Sequence, residues 1–195
     1  MNDAEFEPLR AALARRVPLR SPAEEAPQAA VALVLVARSQ GDFELLLIRR
    51  AERDGDPWSG HMALPGGRRD PDDGDLFATV VRETEEEVAV RLGAADLLGE
   101  LDDLRPLTAP RRIVVRPFVF ALRARPPIRA SDEVAGHVWA PLRELANSAG
   151  TTRVFHRGAE RDMPCYSAGG QIVWGMTQRI LEPFVELARR AAPSS

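Results

Sequence analysis

Three glutamates, Glu83, Glu86 and Glu87, stand at i, i+3 and i+4 in the stretch RETEEEV. On a helix that spacing gathers three carboxylates on one side, where they repel by a few tenths of a kcal/mol per pair. Magnesium or manganese, which take hard oxygen ligands, turns that repulsion into binding. The chemistry this points to is the binding of a hard divalent cation. Arg82 lies four residues before Glu86 and sets a fixed positive charge beside the acids. Pro65, Gly66 and Gly67 precede them and break any regular element. A solvated face is the simpler reading of ETEEEV alone. The glycine turn, the arginine and an apolar stripe together favour a site.

The element that positions these acids is a helix predicted to begin near Asp75 or Leu76 and to run through Val88. Its stripe is Phe77, Val80, Val81, Thr84 and Val88, spaced for one helical face. Upstream, residues 30 to 37 (AVALVLVA) read as a buried central strand and residues 43 to 50 (FELLLIRR) as its hairpin partner. Residues 51 to 61 form a polar loop holding Trp58 and His61, and residues 62 to 64 a short strand entering the turn. Downstream strands are predicted at 97 to 101, 113 to 122, 133 to 140, 152 to 157, 163 to 167 and 170 to 174. Pro117 demands an edge position or a bulge in its strand. A short helix starts at Pro141, and a final helix over 175 to 191 carries Met176, Ile180, Phe184 and Leu187 on one face. Trp139 and Trp174 sit in apolar strands and are expected in the core. This order predicts an α/β domain with a mixed sheet between helices.

The domain is expected to span 29–195, preceded by an N-terminal helix and proline-bearing linker over 1–28. Phe6, Leu9 and Leu13 give the helix at 4 to 16 an apolar stripe, which packs on the domain's own core or meets a second subunit in a homodimer. The 195 residues suit one sizeable core, and 45% hydrophobic with 28% charged residues is globular rather than disordered. A net charge of −3 argues against a general nucleic-acid field. All 26 basic residues are arginine, so phosphate contacts must come from arginine, histidine or backbone. Arg111, Arg112 and Arg116 are candidates, with a solvated loop as the alternative. Cys165 is the sole cysteine, which excludes an internal disulfide and fits a reducing compartment. The acidic start resembles no signal peptide, and the longest apolar run, 29 to 37, is too short to span a bilayer. A cytoplasmic protein without membrane association is the expectation.

Gly67 followed by Arg82-Glu83-Thr84-Glu85-Glu86-Glu87-Val88-Ala89-Val90 resembles the box of the Nudix hydrolase family. The arginine comes fifteen residues after Gly67, one more than usual; Asp73 stands near a family glutamate, and Ala89 replaces the final glycine. The resemblance implies an α/β/α sandwich and a Mg²⁺- or Mn²⁺-dependent enzyme that hydrolyses the diphosphate linking a nucleoside to another group. By the same resemblance Gly67, Glu83, Glu86 and Glu87 hold metal, and Glu83 also assists deprotonation of water. Arg82 orients a glutamate, and Glu133 matches a late glutamate that takes part in catalysis in some members. Arg50, Gly60, Pro65, Gly66 and Gly67, with Trp174 to Thr177, are similar to the coenzyme A pyrophosphatase branch, whose products are 3′,5′-ADP and phosphopantetheine. Asp56 stands where that branch has an arginine, and an acid there repels a 3′-phosphate. ADP-ribose, dinucleoside polyphosphates and a non-catalytic nucleotide-sensing role are the alternatives. Arg50, Trp58, His61 and Arg112 are the candidate substrate contacts.

Overall fold

A computed structural model describes residues 3–22, 27–39, 42–54, 58–105, 113–156 and 159–192. The apolar run becomes β1 (Gln28–Ser39), the centre of a seven-stranded mixed sheet. It pairs antiparallel with β2 (Asp42–Arg50) and parallel with β6 (Val114–Leu122), which in turn pairs with β5 (Leu97–Glu100). Both faces of β1 are buried. Val31, Leu33 and Leu35 join one apolar cluster, and Ala30, Ala32 and Val34 join another on the opposite face.

Helix α2 (Leu76–Val88) covers the face of Ala30, Ala32 and Val34, contributing Leu76, Val80 and Val88. The opposite face is covered by α1 (Glu7–Ala14), α3 (Leu142–Asn147) and α4 (Gly175–Ala191). The result is the α/β/α layering expected. Phe6, Leu9 and Leu13 are buried in the same cluster as Leu33 and Leu35, so the N-terminal helix is part of this packing. The following segment is strapped to the 100–105 region. Asp103 accepts from Ser21 N at 2.9 Å and from Arg116 at 2.8 and 3.1 Å. Burial alone would raise the Asp103 carboxyl, but Arg116, the Ser21 N–H and Arg20 outweigh it and hold it low. Among the described residues, no helix is long and apolar enough to cross a membrane.

The sheet splits where the glycine turn enters. β1 and β2 pair only from Leu35↔Leu45 outward. Beyond that point β2 pairs with β3 (Met62–Ala63), and β1 pairs with β4 (Gly66–Arg68). The Ala32 N–H closes the join on Pro65 O at 2.8 Å. Gly66 is required here: its φ is +139°, and a Cβ would lie 2.2 Å from Ala30 O.

Pro117 lies inside β6, an interior strand, and the expected bulge is what accommodates it: Glu100 lies opposite Phe118 and Leu104 opposite Val115, so Leu101 to Asp103 face only Arg116 and Pro117, and Leu101 N–H donates to Pro117 O at 2.9 Å. Two expectations are corrected. The last three strands, β8 (Gly150–His156), β9 (Ala159–Ala168) and β10 (Gln171–Trp174), form a separate antiparallel sheet instead of extending the first. Trp174 is half-buried rather than in the core, because its neighbour Val173 takes the core-facing position. Trp139 is half-buried as well, packed against the α2-side cluster from outside with the Arg125 guanidinium 5.9 Å above its ring.

Candidate active site

Asp75 caps α2, its side chain accepting from Ala78 N at 2.8 Å. The apolar stripe then fixes the rotation of the helix on the sheet. Thr84 and Val88 face inward, and the next residue around from each, Glu83 and Glu87, is brought to the glycine turn. Glu87 is buried and accepts from Gly66 N at 2.8 Å. Glu83 lies against Gly67, where a Cβ would come 2.4 Å from its carboxyl carbon. Glycine at 67 is thus set by the space the glutamate occupies. Glu86 points outward, its side chain 59% exposed.

Arg82 organises two of the three acids. Its Nη1 donates to Glu83 Oε1 and to Glu86 Oε2, each at 3.0 Å. Its Nε and Nη2 donate to Asp73 at 3.0 and 2.9 Å, and Nη2 also to Arg68 O at 3.2 Å. Asp73 is buried and accepts further bonds from Thr79 Oγ1 at 2.8 Å and Asp70 N at 2.9 Å. The Arg82 guanidinium, with these other donors, holds the Asp73 carboxyl well below the usual carboxylate range. Asp73 in turn raises Arg82. This acid was noted in the sequence only as standing near a family glutamate; nothing local marked it as the anchor of the arginine.

The acids on the other side are less well served. Burial pushes Glu87 up to about 7, with Glu83 adding to the rise and the Gly66 N–H and Arg50 opposing it. Burial also raises Glu83, against the pull of Arg82. Glu133, just before β7 (Val134–Pro141), adds its charge to both. Its carboxylate meets Arg53 Nη1 at 3.2 Å, and its carbonyl accepts from Ala51 N at 2.8 Å. Arg53 carried no signal in the sequence beyond its charge.

Arg50 ends β2 beside Glu87, and its N–H donates to His61 O at 3.0 Å. His61 N donates to Trp58 O at 3.2 Å, so Trp58 and His61 lie together in the loop before β3. Arg116 is bonded to Asp103. Arg111 and Arg112 lie outside the described residues.

Among the described residues, no three acids, histidines or cysteines converge as a preformed metal site. Arg82 draws Glu83 and Glu86 toward itself while Glu87 is held by Gly66. The donor set is nonetheless of the right kind for a hard divalent cation. Glu83 and Glu86 both reach one guanidinium nitrogen, and Glu87, Glu83 and Glu133 accumulate negative charge that the described protein groups only partly offset.

A family model for the NUDIX domain matches residues 26–161. The chain is 36% identical over 157 residues to proteins called uncharacterized Nudix hydrolase NudL in Yersinia pestis and Yersinia pseudotuberculosis, covering 79% of this chain and 76% of theirs. Its fold is similar to that of a MutT/nudix family protein from Enterococcus faecalis, with a TM-score of 0.59 at 18% identity, over 97% of this chain and 69% of that one. A NUDIX hydrolase from Alicyclobacillus acidocaldarius matches with a TM-score of 0.55 at 19% identity, over 85% and 93% of the two chains. The NUDIX domain of Shewanella oneidensis NrtR, solved with ADP ribose, matches at 0.51 and 22% identity, over 75% and 88%.

Proposed function

The chain belongs to the Nudix hydrolase family, and on that premise we propose that it cleaves the diphosphate of a nucleoside diphosphate joined to another group, with coenzyme A or a derivative as substrate. The observation that carries this reading is that Glu83 and Glu87 are brought to the Gly66–Gly67 turn and Glu86 is tied to Glu83 through one Arg82 nitrogen, under a negative charge that the described protein groups only partly offset. Glu83, Glu86, Glu87 and the Gly67 carbonyl are the groups that hold Mg²⁺ or Mn²⁺. Bound there, the cation supplies charge neutralisation at the diphosphate and acidifies a water.

The chain's own groups do the rest. Asp73 locks Arg82, and Arg82 sets the Glu83 and Glu86 carboxylates. Glu83, raised by burial, takes the proton from the attacking water as its oxygen bonds to phosphorus and the bridging P–O bond breaks. Glu133, whose charge reaches Glu83 and whose carboxylate is held by Arg53, is the second group proposed to take part. Arg50, whose charge acts on Glu87, is the group that receives phosphate oxygens in this reading.

Support for coenzyme A is the pattern of Arg50, Gly60, Pro65, Gly66 and Gly67 with Trp174 to Thr177; Asp56 favours a substrate without a 3′-phosphate, such as ADP-ribose. A screen of coenzyme A, ADP-ribose, NADH and dinucleoside polyphosphates with Mg²⁺ and Mn²⁺ decides between them. Release of 3′,5′-ADP from coenzyme A is the expected result. Fast ADP-ribose cleavage without that release overturns the substrate, and nucleotide binding without turnover of any compound overturns the enzyme in favour of a sensing domain.

A further inference from the structure

Residues 162–192 lie beyond the part of the chain that the family model matches, yet they are fastened to the strand leading into the glycine turn. Thr177, buried near the start of α4, donates its hydroxyl to Met62 O at 3.1 Å. In the β9–β10 turn, Gly169 adopts φ +55° and sits so close to β7 that a Cβ would lie 2.8 Å from Val138 Cγ2. Gly175, at φ +69°, bends the chain from β10 into α4. Val173 is fully buried on the core side, so alternation along β10 turns Trp174 away from it.

There the Trp174 ring meets the His61 ring, with centroids 4.8 Å apart and planes tilted by 58°. Both residues are partly exposed. The register Ile48↔Ala63 and Arg49↔Met62 continues to Arg50 opposite His61, whose carbonyl accepts the Arg50 N–H. Ile48 and Ala63 belong to the α2-side cluster and Met62 to the other, which places Arg50 and His61 on the α2 side of the sheet. Arg50 is also the cation that acts on Glu87. The aromatic pair is therefore one cross-strand neighbour away from the charge beside the catalytic acids.

We propose that Trp174 and His61 form a binding platform for the planar base of the nucleoside diphosphate substrate. The C-terminal segment thus supplies base recognition to acids carried on the family domain. One ring offers a face for stacking and the other an edge, and a base held there directs its diphosphate toward Arg50 and the acids. The inference rests on the hydrolase reading above but is tested apart from it.

The experiment titrates AMP and ribose 5-phosphate into the full chain while following tryptophan emission, in the native protein and in Trp174→Phe. Saturable quenching by AMP that ribose 5-phosphate does not produce, and that is lost in Trp174→Phe, is the expected result. In turnover of the substrate identified by the screen, Trp174→Ala raises KM about tenfold with kcat little changed, and Trp174→Phe recovers most of the loss. Equal quenching by both ligands, quenching undiminished in Trp174→Phe, or a KM unmoved in Trp174→Ala overturns the platform. Quenching as expected with no turnover of any compound leaves the base site standing and overturns the hydrolase reading instead.

Discussion

Two buried carboxylates flank helix α2, and they are treated in opposite ways. Asp73 receives two bonds from Arg82, one from Thr79 and one from a backbone N–H, and is held far below its ordinary range. Glu87, equally hidden from water, receives the Gly66 N–H and is pushed up to about 7. A buried charge that is fully bonded is a finished piece of structure. One that is left short of donors costs stability until a cation arrives. In the function proposed above, the difference separates the frame of the site from its working groups, and it can be broken from either side.

The largest effect is expected on the working side. Glu86→Gln or Glu83→Gln lowers kcat roughly a thousandfold, while circular dichroism and the unfolding midpoint stay close to native. Undiminished activity in both variants would contradict the role of these acids. On the frame side, Arg82→Ala strands the Asp73 charge in the interior and destabilises by about 3 kcal/mol, measured by urea unfolding. Arg82→Ala with Asp73→Ala recovers part of that stability but not activity, because Glu83 and Glu86 remain unheld.

Glu87 gives the pH dependence. Its native carboxyl binds a proton more tightly than the unfolded chain, whose value is 4.5 against about 7. Between those values the native state keeps a proton that the unfolded state has lost. Stability of the metal-free protein therefore falls as pH rises through this window, and the full cost is present above it. Glu87→Gln keeps an oxygen for the Gly66 N–H and removes the cost. The metal-free variant should be more stable than the native protein by about 2–3 kcal/mol at pH 8 and no more stable near pH 4. Equal stability at pH 8 would mean that Glu87 is better served than Asp73's contrast implies.

The smallest effect is at the helix exit. Ala89 caps α2 in the left-handed region at φ 57°, where alanine is strained and glycine is not. Ala89→Gly should stabilise by about 0.5–1 kcal/mol without altering KM.

Much of the frame was legible in the sequence because it rests on local period. The run at 30 to 37 alternates between two buried faces, and Phe77, Val80, Val81 and Thr84 fix the rotation of α2. What was hidden depends on separations of tens of residues. Nothing in the neighbourhood of Trp174 reveals that His61 lies against it, and nothing near Arg53 reveals Glu133. Asp73 was equally silent, since its partner Arg82 lies nine residues on and across a helix start. Pro117 announced an edge or a bulge, and only the strand beside it, which carries one extra residue between Glu100 and Leu104, decides for the bulge.

The cation is the link on which the whole reading depends. Thermal unfolding at pH 8 with and without millimolar Mn²⁺ tests it most directly, comparing the native chain with Glu87→Gln. The native protein should gain several degrees on adding the ion, since a ligand that binds only the folded state stabilises it, and the variant should lose most of that gain. Identical midpoints with and without Mn²⁺ in the native chain would contradict a cation site at these acids.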